Sequence, residues 1–73
     1  MLYYAAMESC PATVGDRIVV CGYIEYDCKV SATTWIPEEA RWKITVDWGA
    51  LGESHVWSTD RDKTWYLLKV VNL

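Results

Sequence analysis

Nothing in this chain approaches the 18 or more consecutive apolar residues that a membrane-spanning helix requires. Its N-terminus, MLYYAAMESC, has neither a basic start nor a long apolar centre, so it does not read as a secretory signal. Basic runs are absent as well. The seven Lys and Arg (Arg17, Lys29, Arg41, Lys43, Arg61, Lys63 and Lys69) are scattered, and the net charge is −3. Nucleic-acid-binding domains of this size usually carry a basic face, so nucleic acid is disfavoured as a partner. No phosphate-cradling glycine motif occurs, and an apolar stripe at helical spacing extends no further than a short one at Tyr3–Glu8.

Cysteine is present in an odd number, Cys10, Cys21 and Cys28, which excludes a complete intramolecular disulfide framework. Free buried thiols in a reducing cytoplasm are the simplest reading, with a Cys21–Cys28 bridge as the alternative. The single histidine, His55, and the three cysteines lack the closely spaced ligand pair of structural zinc sites. No metal and no cofactor is therefore expected. Ser54 and His55 are adjacent, and neighbouring strand residues point to opposite faces, so they cannot act together as nucleophile and base. A non-catalytic protein follows from these absences.

Phenylalanine is missing too, but five Trp and five Tyr take its place among 73 residues. A chain this short makes one domain and buries only about 60% of its unfolded surface, so it needs bulky side chains to fill a thin core. The whole of 1–73 is read as that domain, with 1–12 as an N-terminal extension.

The strongest pattern is RWKITVDW at 41–48. Arg41, Lys43, Thr45 and Asp47 alternate with Trp42, Ile44, Val46 and Trp48, the signature of a strand with one buried face. Gly49 to Gly52 forms a four-residue connection, Glu53–Thr59 a second strand, Asp60–Lys63 a polar turn and Thr64–Val71 a third strand. Connections this short predict an antiparallel meander over 41–71. Upstream, Gly15-Asp16 is a turn that feeds a strand through Ile18–Ile24, with Gly22 as a bend. Residues 27–40 read as a long excursion holding one short strand near Val30–Trp35, closed at Ile36-Pro37. The fold class is all-β: a small barrel of about five antiparallel strands, since closure removes exposed edges.

This layout resembles the SH3-like small barrels. VGDRIVV at 14–20, a long loop, ITVDWG at 44–49, SHVW at 54–57 and WYLLKVV at 65–71 are similar to the pattern of Tudor-like, KOW-like and mind-bomb-type modules. The resemblance covers roughly 13–72 and implies a binding domain rather than an enzyme. Tudor-like members often hold a methylated cation in an aromatic cage, and KOW-like members often contact RNA or the ribosome. Here a cage would draw on Tyr23, Tyr26, Trp48 and Trp57, with Asp47 or Glu25 opposing the cation.

Two segments carry more apolar residues than one barrel interior can absorb. In the first, Ile18, Val20 and Ile24 alternate with Val19, Cys21 and Tyr23; in the last, Trp65, Leu67 and Val71 alternate with Tyr66, Leu68 and Val70. Trp57 shares the parity of the polar residues Glu53, His55 and Thr59 and is expected on the outer face. A surplus apolar face marks a protein contact, and a homodimer is the simplest use of it, with Trp57 and Trp65 as candidate anchors.

Overall fold

The computed structural model describes residues 9–21 and 27–68. Five strands form one antiparallel sheet: β1 (Arg17–Val20), β2 (Asp27–Ile36), β3 (Arg41–Asp47), β4 (Glu53–Trp57) and β5 (Trp65–Leu67). Their order is β4-β3-β2-β1-β5. The only other regular elements among the described residues are 3₁₀ turns at Gly49–Leu51 and Ser58–Asp60. No helix among them is long and apolar enough to cross a membrane. The all-β class stands, and a five-stranded antiparallel sheet of this size is compatible with an SH3-like fold.

Two expectations are corrected. The 27–40 segment is no excursion: it contains the longest strand, the ten residues of β2, paired with β3 from Lys29↔Asp47 to Ile36↔Arg41. The register shifts between Val30 and Ala32, so Ser31 is an inserted bulge residue. The second correction concerns the meander. β5 does not continue from β4 but pairs with β1, through Ile18↔Leu67, Val19↔Tyr66 and Val20↔Trp65. After Trp57 the 3₁₀ turn redirects the chain, and Asp62, with φ of 64°, turns it again. Asp62 N donates to Trp65 O at 2.7 Å, and Cys21 N donates to Thr64 O at 2.7 Å. The connection thus carries β5 to the opposite edge of the sheet.

Local chemistry explains the other turns. Asp16 N donates to Thr13 O at 2.9 Å with Gly15 at φ +98°, the glycine-requiring position of a type II turn. Gly15 N then donates to Val30 O and Val30 N to Asp16 O, which ties this turn to the side of β2. Pro37 ends β2 because it has no N–H to donate. The β2–β3 turn closes with Glu39 N donating to Ile36 O at 3.1 Å.

The register sorts side chains into two faces. Inward rows run Leu67–Ile18–Cys28, Val30–Val46–Ser54 and Thr33–Ile44–Val56. From these the core is assembled: Ala12, Ile18, Cys28, Val30, Ile44, Val46, Val56 and Trp65, with Cys10, Val20, Trp42, Trp48 and Leu67 packed at its margin. The expected face of 41–48 is therefore the buried one, with Ile44 and Val46 at its centre. Trp65 is the largest side chain wholly inside, at 0% exposure, and its Nε1 donates to Trp57 O at 2.7 Å. That bond meets the one polar demand of a buried indole. It also removes Trp65 as an interface anchor, because none of its surface is available for contact.

Candidate interaction surface

The outer face is built from the alternate residues of the same strands. One row crosses four strands as Arg17, Lys29, Asp47 and Glu53; the next are Ala32–Thr45–His55 and Thr34–Lys43–Trp57. Ser31, at the bulge, donates from Oγ to Glu53 Oε2 at 3.1 Å across this face.

Trp57 lies on this outer side, as its polar neighbours in sequence imply. It is half-buried because two side chains cover it. The guanidinium of Arg41 lies over its ring, 3.7 Å from the centroid, and His55 meets it edge-on at 5.2 Å. Arg41 is held there by Glu39, whose Oε1 accepts from Nε at 3.1 Å, and by Thr59 Oγ1, which accepts from Nη1 at 3.5 Å. An arginine fixed on an indole, with its hydrogen bonds directed by a carboxylate, presents the residue types most enriched at binding hot spots. Position 41 was outward in the sequence pattern, but its contact with Trp57 depends on the β3–β4 register.

Trp48 has a different setting. It packs against the core, and its Nε1 donates to Ser54 Oγ at 2.6 Å. Trp57 is opposite Lys43, five positions before Trp48, which is about 17 Å along an extended chain. The structure does not bring these two rings together. Asp47 faces outward and accepts from Gly49 N at 2.7 Å. Tyr23, Glu25 and Tyr26 lie outside the described residues; among the described members of the expected cage, Trp48 and Asp47 line one cleft and Trp57 is not part of it. A shallow cleft of about 390 Å³ does adjoin Trp48, lined also by Arg17, Asp27, Lys29 and Asp47. Its two cations and two carboxylates balance in charge.

A second apolar area lies on β1 and β5. Val19 is 6% exposed yet belongs to the outer face, beside Tyr66 and apart from the core cluster. Tyr66 is 38% exposed and Leu68 41%, and Leu68 N donates to Arg17 O at 3.0 Å. Val70, Val71, Tyr23 and Ile24, expected in the same surplus, lie outside the described residues.

The cysteines occupy three environments: Cys10 half-buried, Cys21 exposed and Cys28 buried, all as free thiols. Cys28 donates weakly to Ile18 O at 3.6 Å. Burial, with a smaller contribution from the Asp27 charge, pushes its thiol up to about 11. Among the described residues no three His, Cys, Asp or Glu side chains gather as a metal site. Ser54 pairs with Val46 and His55 with Thr45, which places them on opposite faces.

Compared with family models, curated proteins and solved structures, the chain matches none. The reading of its function therefore rests on the surfaces just described.

Proposed function

We propose that the protein is a small, non-catalytic, SH3-like interaction module of the cytoplasm that associates with itself. The observation that carries this reading is the apolar and aromatic surface left over once the core is filled. Ile18, Ile44, Val46 and Trp65 are fully buried, yet Tyr66 and Leu68 on one side and half-buried Trp57 on the other remain on the outer face. Apolar surface beyond what an interior uses is the usual mark of a contact with another protein. A chain of this length is also marginal alone, and a two-fold dimer is the commonest remedy. Three free thiols favour the cytoplasm as its compartment.

The RNA-binding alternative draws less support, because Asp27, Asp47 and Glu53 lie among Arg17, Lys29 and Lys43 on the same outer face. The aromatic-cage alternative draws less again, since Trp48 and Trp57 are set apart. Sedimentation equilibrium at several hundred micromolar tests the main reading. A dimer of twice the 8.4 kDa chain mass is expected, and a monomer at every concentration would overturn self-association.

A further inference from the structure

Where β4 gives way to the Ser58–Asp60 turn, a cleft of about 230 Å³ is lined by Ser9, Pro11, Trp42, Ser58, Thr59 and Arg61. It shares no residue with the cleft beside Trp48. Sites for drug-sized ligands run to roughly 300–1,000 Å³, so this one suits something smaller. Its polar groups are donors without an acceptor. A hydroxyl has one hydrogen to give and two lone pairs to receive with. Ser58 Oγ accepts from Trp42 N at 2.8 Å, and Thr59 Oγ1 accepts from Arg41 Nη1 at 3.5 Å. Among the described residues no acceptor takes the hydrogen of either hydroxyl, nor that of Ser9. Arg61 adds a guanidinium. Its ion pair with Asp62 Oδ2 is 3.9 Å long at Nε, beyond hydrogen-bond reach, and exposed, so it holds little of the charge. Arg41, by contrast, is committed to Glu39. No carboxylate lines the cleft, although Asp60 and Asp62 flank Arg61 in sequence. Trp42 and Pro11 give it an apolar wall.

We propose that this cleft binds a carboxylate carried on a short apolar stem. The proposal goes beyond self-association and does not depend on it. A guanidinium fork and hydroxyl donors match the two oxygens of a carboxylate. The stem then lies along Trp42 and Pro11. A single carboxylate brings one negative charge to one cation. A phosphate would bring close to a second, to a chain whose net charge is already −3. Arg61 supplies the charge, and the Ser58 and Thr59 hydroxyls fix the orientation, because the N–H groups they accept from hold each oxygen in place.

The test is a titration of the full chain, followed by the amide and indole N–H signals in proton–nitrogen NMR at constant ionic strength. The probes are butyrate, acetylated trialanine with a free C-terminus, and inorganic phosphate. Saturable shifts centred on Trp42, Ser58, Thr59 and Arg61 are expected with a carboxylate probe. R61Q should weaken that binding by about tenfold, and T59V by a smaller factor, while their unperturbed spectra show that both remain folded. Tighter binding of the peptide acid would assign the carboxylate to a protein C-terminus, and equal or tighter binding of butyrate would assign it to a free small acid. No saturable shift with either carboxylate would overturn the proposal, as would shifts that R61Q leaves unchanged. Phosphate binding tighter than both would overturn the choice of carboxylate. None of these outcomes bears on the mass in solution, so the self-association reading stands or falls separately.

Discussion

Arg41 lies over the indole of Trp57, its guanidinium carbon 3.7 Å from the ring centroid, and the two residues come from adjacent strands at diagonal positions. Glu39 fixes the guanidinium from the preceding turn. Three side chains, from two strands and a turn, are thus locked into one outward-facing group. A cation on an indole at a partly covered site contributes about 0.5–1 kcal/mol. A double-mutant cycle of Arg41→Ala and Trp57→Leu, read by urea unfolding, should return a coupling of that size. Arg41→Lys should keep little of it, because an ammonium cannot stack on the ring while reaching Glu39 as a planar fork. Additive single effects would show that the stack contributes nothing.

The core makes a stronger demand. Ile44 and Val46 are fully buried at the centre of the sheet, between the inward residues of β2 and β4. Ile44→Ala should cost about 2–5 kcal/mol, a large part of the stability of so small a protein. Trp65→Phe separates packing from hydrogen bonding. It retains an aromatic ring but leaves Trp57 O without its Nε1 donor. An additional loss of about 1–3 kcal/mol is expected by chemical denaturation.

What could be read from sequence, and what could not, follows from the range of the interactions. The alternation in 41–48 is a local, period-two signal, and it named the buried face correctly. Trp57 was readable for the same reason, since its strand neighbours of like parity are polar. β2 is hidden in the sequence because the Ser31 bulge shifts the phase: its inward residues are Cys28, Val30, Thr33 and Trp35, a spacing that fits no single period. In 65–68 both parities are apolar, so sequence could not tell that Trp65 turns inward and Tyr66 outward. That choice is made by pairing with β1, more than forty residues away, and by a 3₁₀ turn that carries no strong sequence mark. The contact of Arg41 with Trp57 was hidden for a similar reason, as it exists only in one register of two strands.

The β2–β3 turn stores a correctable strain. Ala40 has φ of 51°, in the left-handed region where a side chain's Cβ crowds the backbone. Glycine relieves that crowding at a modest entropic cost in the unfolded chain. Ala40→Gly should therefore stabilise the protein by up to about 1 kcal/mol and raise its thermal midpoint by a few degrees. A lower midpoint would show that the turn does not hold Ala40 in this conformation.

The three thiols should separate both by reactivity and by pH. The thiolate is the reactive form, so access and acidity together set the rate. Cys21 is exposed and should be alkylated first, Cys10 more slowly, and Cys28 only as the protein opens. Mass spectrometry of peptides from a timed iodoacetamide reaction gives the order. The raised pKa of Cys28, about 11 against an ordinary 9.0, also makes a stability statement. Its thiol ionises more readily in the unfolded chain than in the folded one. Above pH 9 the unfolded state therefore binds fewer protons, and stability falls as pH rises through the interval to 11. Below pH 9 this contribution is fully present. Two units correspond to at most about 2–3 kcal/mol, spread over that interval. Tyrosine and lysine titrate in the same range, so the comparison is with Cys28→Ala, whose lower baseline stability should decline less steeply from pH 9 to 11. Parallel pH profiles for the two proteins would show that Cys28 ionises equally in both states, and early labelling of Cys28 would show that it is not buried.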